Sequence, residues 1–352
     1  MRVALDVTPV LAGSGGMKTY AEETLRGLRE RPGIEVRAFA AGRGGHVPDD
    51  IRRIRVPLRV LQASWGIINW PSAETIAGKV DIVHSLDLMA PPTRRPLVVT
   101  VMDVMTSIYP EFFSIETRRH QQAHLESART AAIVITGSTA TAEDIALVAD
   151  IPRERILVSP LGHRRLPPPS ESVPWLPEEY LLSVNVVEPR KGYDVLAQAL
   201  NMLDKCPPLI AVGGDGWSGS EIRRRVRDID QKGLVRFVGN VEPGVLSALY
   251  ARARLVIQAS HAEGFGLPLL EAMSTGAAVV ATDIPQAREV AGDAVSLTPA
   301  GDPEALAGAI ERLLADDGAR SELGRRALAR ARPFTWERTT ELLIAAYQRT
   351  MG

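Results

Sequence analysis

Two acidic and two basic residues carry the strongest chemical signals in this sequence. The stretch SHAEGFGLPLLEAMSTG (260–276) places Glu263 and Glu271, eight positions apart, around Gly264, Phe265, Gly266 and Leu267. Glycines let a backbone come close to a ligand. Pro268 suits the first turn of a helix, where its missing N–H costs nothing, and Gly276 suits the helix end. Glu263 then falls in a loop, and Glu271 one turn into a helix whose unpaired N–H groups favour a phosphate. Carboxylates beside such a site can accept hydrogen bonds from sugar hydroxyls. A capping loop with two solvated glutamates fits the same spacing, and spacing alone leaves both readings open.

Upstream, EPRKGYDVLAQAL (188–200) sets Arg190 and Lys191 at a helix start. Cations gain nothing from that end of the helix dipole. An anion held between them and the helix would resolve the conflict, and a guanidinium fork beside an ammonium suits a diphosphate. Two ordinary surface cations are the alternative. In GSGGMKTYAEETL (13–25), Gly15 and Gly16 turn into a helix and could admit a phosphate or sugar. The GxGxxG dinucleotide fingerprint is not matched there.

His84 and Asp87 fall at the carboxyl end of one strand pattern, and Met102 and Asp103 at that of another, where open parallel sheets collect ligands. His84 suits proton transfer or hydrogen bonding near neutrality. It suits equally well a buried histidine with its partners satisfied. HQQAH (120–124) lacks the glutamate of HExxH, no P-loop or nucleophile elbow occurs, and no metal cluster is expected.

Short apolar runs alternating with helical stretches must position these residues. Strands are expected at 2–7, 36–41, 81–86, 97–102, 132–137 and 155–160. The proline-rich stretch LGHRRLPPPSESVPWLPEEY (161–180) then interrupts the pattern, which restarts with strands at 180–187, 208–214, 235–240, 254–260 and 277–283. Strand–helix alternation predicts doubly wound parallel sheets. The expected fold class is α/β with two Rossmann-like domains facing each other across a cleft. The expected boundaries are 1–165, a linker at 166–179, 180–335, and a terminal helix, 336–352, crossing back to the first domain.

A length of 352 residues agrees with two domains, and a net charge of −1 gives no broad field for nucleic acid. Cys206 is the single cysteine, so no intrachain disulfide can form. The N-terminus lacks a signal-peptide pattern and no run nears the ~18 apolar residues of a membrane span, so a cytoplasmic protein is expected. Residues 51–70 mix Arg52, Arg53, Arg55 and Arg59 with Trp65 and Trp70. They could touch an anionic membrane surface, but packing on the first domain is the preferred reading, so membrane contact is expected to be peripheral at most.

Taken together and in order, EPRKG, GGDG, VRFVGNV, LSALYARARLVIQAS, EGFGLPLLEAMSTG and REVAGDAV resemble the retaining glycosyltransferases of family 4, which have the GT-B fold. The chain looks most like the bacterial mannosyltransferase-like branch. GSGG, DIVHS, TVMDV with YPEFF, and VITGSTATAEDI extend the resemblance, more loosely, over the first half. The resemblance implies metal-independent transfer of a hexose-type sugar from a GDP- or UDP-linked donor to an acceptor hydroxyl on a glycan, lipid carrier or small natural product, with no cofactor. It implies that Glu263 contacts the donor sugar and Glu271 the ribose, and that the Gly264–Leu267 backbone faces sugar and diphosphate. Arg190 and Lys191 would neutralise the leaving diphosphate, Val241 would contact the base, and Gly15 and Gly16 would approach the donor. Asp103 joins the catalytic candidates, and His84, Asp87 and Met102 are candidate acceptor or sugar contacts. Two positions depart from the family pattern. Met102 stands where a histidine usually precedes Asp103, and Asn185 where glycine is commoner. The alternatives are a catalytically impaired nucleotide-sugar-binding protein and another GT-B enzyme such as a nucleotide-sugar epimerase.

Overall fold

The computed structural model describes residues 1–11, 15–43, 47–86 and 89–351. The chain divides into two compact units, residues 1–162 with 334–352, and residues 163–333. The first contains strands β1 (Arg2–Asp6), β2 (Glu35–Ala41), β3 (Arg52–Ile54), β4 (Ile82–Ser85), β5 (Leu97–Thr100), β6 (Ile133–Thr136) and β7 (Ile156–Val158). They form a seven-stranded sheet in the order β3-β2-β1-β4-β5-β6-β7, and every pair is parallel. A parallel sheet is covered on both faces, which explains why IVHS and IVIT are buried along their whole length. One core gathers around Phe39, Leu61 and Trp65, another around Leu125, Val134 and Ile145.

The C-terminal helix, Trp336–Met351, completes the first unit. Tyr347 on it is fully buried, and the Trp336 ring lies 6.2 Å from that of Tyr20. Gly27 makes the approach possible, since a Cβ there would sit 2.1 Å from Thr340 Oγ1. Crossing back to the first domain is what the sequence reading expects.

The second unit contains β8 (Leu181–Val184), β9 (Leu209–Val212), β10 (Val235–Gly239), β11 (Leu255–Gln258), β12 (Val279–Thr282) and β13 (Ser296–Thr298). Their order is β10-β9-β8-β11-β12-β13, all parallel. The strand order therefore reverses between β8 and β11, the position where such sheets collect ligands. Residues 166–179, read from sequence as a linker, contain neither helix nor strand, as their prolines dictate. They lie along the second unit. Ser170 N donates to Gly244 O at 2.9 Å, and Arg252 Nη2 donates to the carbonyls of Ser170 and Glu171, each at 3.1 Å.

The three-residue strands β3 and β13 and the helix Asp317–Ala331 go beyond the sequence reading. Three residues cannot display a period, so these short strands are defined by their pairing with β2 and β12.

Candidate functional site

The site grows from the loops after β8 and β11. After β8 the chain forms a single turn, Pro189–Lys191, and enters the helix Tyr193–Met202 through Gly192. Gly192 has φ +64°, and a Cβ there would lie 2.1 Å from Ala259 O in the neighbouring loop. Glycine is therefore required twice, by backbone conformation and by contact. His261 N donates to Arg190 O at 2.8 Å, which ties the two loops together.

This junction brings Arg190, Lys191 and Glu263 into one buried cluster. Lys191 Nζ donates to Glu263 Oε1 at 2.6 Å, and Arg190 Nη1 donates to Oε2 at 3.3 Å. Lys191 and Glu263 are 6% and 7% exposed, so neither is a solvated surface group. Burial alone would raise the Glu263 pKa, but the Lys191 and Arg190 charges outweigh it and hold the carboxyl at about 2. Burial and the Arg190 charge press the Lys191 ammonium below its ordinary value, against the pull of Glu263. Glu263 thus stays anionic and its cations stay in place.

Sequence reasoning missed two partners of this cluster. Gln258, at the end of β11, donates from Nε2 to Glu263 Oε1 at 2.8 Å. Glu188 accepts from Arg190 Nε at 2.9 Å. A signal existed for Gln258, because a polar residue closing the buried run LVIQ needs a partner. At the end of β8, Asn185 is 5% exposed and its Oδ1 has no partner among the described residues.

Downstream, Gly266 at φ +93° starts the helix Leu267–Ser274, and no side chain caps it. Phe265 and Leu267 have buried side chains, so the segment offers backbone rather than side chain to any ligand. Glu271 is buried too, on that helix, and accepts from Tyr250 Oη at 3.3 Å. Burial pushes its pKa up to about 7, opposed by Arg164 and the Tyr250 hydrogen bond. Tyr250 is a further partner absent from the sequence reading. Val241 lies in the connection between β10 and the helix Pro243–Arg252, half-exposed.

The remaining candidates lie in the first unit. Gly15 has φ +120° and caps the helix that Gly16 begins. His84 is offered by the sequence as an acceptor or sugar contact, but the structure assigns it elsewhere. Its ring is 0% exposed, Nδ1 lies 2.6 Å from Tyr347 Oη, and Nε2 lies 2.8 Å from Thr100 Oγ1. With both nitrogens engaged and no exposed face, His84 joins the sheet to the C-terminal helix. Asp103 Oδ1 accepts from Met105 N and Gln121 Nε2, each at 3.1 Å, so part of its carboxylate shapes the turn after β5. Met102 beside it is half-exposed. Asp87 lies outside the described residues.

The sequence model of the family described as "Glycosyl transferases group 1" matches residues 171–330. That of "Glycosyltransferase Family 4" matches residues 14–163. The O-antigen chain mannosyltransferase B of Escherichia coli is 32% identical over 281 residues, covering 76% of this chain and 74% of that protein. Sucrose-phosphate synthase from Thermosynechococcus elongatus superposes with a TM-score of 0.81 at 22% identity, over 99% of this chain and 98% of its own. Anabaena HepE in complex with UDP and glucose gives 0.72 at 19% identity, over 99% and 100%. At these identities the two structures show a shared fold, the two parallel-sheet α/β domains of GT-B glycosyltransferases.

Proposed function

Since this chain belongs to the family 4 glycosyltransferases and is a hexosyltransferase, we propose that it moves a hexose from a GDP- or UDP-linked donor to an acceptor hydroxyl with retention at the anomeric carbon. The observation that carries this reading is the buried Arg190–Lys191–Glu263 cluster where the second sheet reverses its strand order. In the reaction, the bond between the anomeric carbon and the diphosphate oxygen breaks, and its electron pair leaves with the phosphate. The acceptor oxygen bonds the same face of that carbon, and its proton passes to the departing phosphate. Negative charge builds on the diphosphate, and preorganised cations stabilise it without reorganising solvent. Arg190 and Lys191 are those cations. Glu263 meets the donor sugar, Glu271 the ribose hydroxyls, the Gly264–Leu267 backbone the sugar and diphosphate, and Val241 the base. With two cations supplied by the chain, the transfer proceeds without a metal ion.

Support for a nucleotide-sugar donor comes from HepE, whose structures carry UDP, UDP with glucose, and UDP-glucose. Support for mannose as the sugar comes from the E. coli mannosyltransferase relative. The test is a donor panel of GDP- and UDP-hexoses, with free nucleotide measured with and without a chelator. Nucleotide release that persists in the chelator, with α-configured product from an α-linked donor, is the expected result. Arg190→Ala and Lys191→Ala should each lower kcat by about 10²–10³-fold, with smaller changes in KM. Wild-type turnover in both variants would remove the cations from the mechanism.

A further inference from the structure

Gln258 closes the buried strand β11, LVIQ. Leu255 and Ile257 belong to the core on one face of the sheet. Side chains alternate along a strand, so Gln258 faces the other side. It is 5% exposed. An apolar residue would serve the fold there at no polar cost, whereas a buried amide is costly unless its groups are paired. The pairing is incomplete. Nε2 donates to Glu263 Oε1 at 2.8 Å, but Gln258 Oε1 has no partner among the described residues. The backbone of Gln258 is satisfied, because its carbonyl accepts from Thr282 Oγ1 at 3.2 Å.

The side chain with that unpaired acceptor lines a small cavity together with Ser260, Glu263 and Thr282, closed by apolar groups that include Phe265 and Leu269. About 10 Å³ of it can hold the centre of a water molecule, close to the minimum that one buried water needs. Ser260 and Thr282 are 1% and 5% exposed, so their hydroxyls are as enclosed as the amide. A water here donates to Gln258 Oε1 and finds its remaining partners among those hydroxyls.

The Glu263 carboxylate is held unevenly. Its Oε1 accepts from Lys191 Nζ at 2.6 Å and from Gln258 Nε2 at 2.8 Å. Its Oε2 accepts from Arg190 Nη1 at 3.3 Å, beyond the usual range for such a bond. The donors on Oε1 differ in what they fix. An ammonium is a point charge with rotatable donors, so Lys191 sets charge more than orientation. A planar amide held at both ends sets orientation.

We propose that Gln258 is a positioning residue: braced by a buried water on its own Oε1, its amide fixes the Glu263 carboxylate through one oxygen and leaves Glu263 Oε2 to meet a hydroxyl of the donor sugar. The proposal rests on the donor-sugar role given to Glu263 above, and adds which oxygen acts and what aims it.

The experiment starts from Gln258→Met, which keeps the length of the side chain and removes the amide. With a donor accepted in the panel, kcat should fall about tenfold, while KM and the Kd of free nucleotide change by about twofold or less. Tm should hold or rise, since an incompletely paired polar group leaves the core. A merely structural role gives the reverse, a lower Tm with kcat per folded molecule unchanged. Gln258→Leu repeats the test should the first variant fold poorly. In the Glu263→Gln background, Gln258→Met should lower kcat by less than about twofold more, because both substitutions act through one carboxylate. A crystal structure should show one water on Gln258 Oε1. Wild-type kcat in the folded Gln258 variants, with turnover lost in Glu263→Gln, would overturn the positioning role and leave the donor-sugar reading in place. Wild-type kcat in Glu263→Gln would overturn both. A further loss of about tenfold in the Glu263→Gln background would show that Gln258 acts elsewhere and would overturn the proposal, and a dry cavity would overturn the brace.

Discussion

Glu271 and Glu263 share a sequence motif but have opposite electrostatics. Glu263, between two cations, is held at about 2, whereas Glu271, with only Tyr250 donating to it among the hydrogen bonds described, is pushed up to about 7. On the proposed reading, an ionised Glu271 would accept both ribose hydroxyls, whereas a protonated one would lose acceptor capacity. Nucleotide affinity should therefore strengthen about tenfold between about pH 6 and 8 and flatten in Glu271→Gln, as measured by titration calorimetry. Glu263 calls for a different substitution strategy. Glu263→Ala leaves Lys191 buried without its counter-charge and should cost about 3 kcal/mol or more in denaturant unfolding. Glu263→Gln, which keeps the shape, is the better probe of turnover. Gly192→Ala should lower stability by about 2 kcal/mol or more, because its positive φ and the Ala259 carbonyl both exclude a Cβ.

At the level of elements, the buried strands and the edge strands β7 and β10 were legible, whereas the three-residue edge strands β3 and β13 were not. IVIT and LIAV read as strands because both faces are covered and their apolar runs are continuous. RRI became β3 only through its pairing with β2. The C-terminal helix was legible as an apolar stripe, but its partners were not, since His84 and Tyr347 lie 263 positions apart. His84→Ala should destabilise the first unit by about 2–4 kcal/mol, because it opens a cavity and strands the Tyr347 and Thr100 hydroxyls. Hydrogen exchange should then report faster opening around β4 and the C-terminal helix, with the strands of the second unit unchanged.

For the whole molecule, buried titratable groups set the response to pH. His84 has its pKa pressed down by burial from 6.5 to about 3, so the unfolded chain binds its proton first and the neutral ring's stabilisation is lost progressively as pH falls through that window. Glu263, lowered from 4.5 to about 2, loses its contribution over a window that overlaps this one and ends lower. Glu271 has the opposite sign. Its raised pKa contributes stability below 4.5 that is lost as pH rises through about 7. Acid should therefore destabilise the first unit before the Glu263 cluster of the second, and His84→Gln should reduce the steepness of stability against pH above about pH 4. Exchange protection mapped to each unit along a pH series would detect a reversed order.

The sequence by itself determined the α/β class and the duplicated parallel-sheet architecture, and it singled out the segments EPRKG and EGFGLPLLE as the candidate site. Those features depend on local period, glycine and proline placement, and charge type, which each residue carries wherever the chain goes. Only the tertiary structure decided that Lys191 and Glu263 form a buried pair, that Gln258 and Tyr250 serve the two glutamates, and that His84 is a structural residue. Each of these outcomes is a matter of burial and of contacts distant in sequence, set by which surfaces the packed sheets cover.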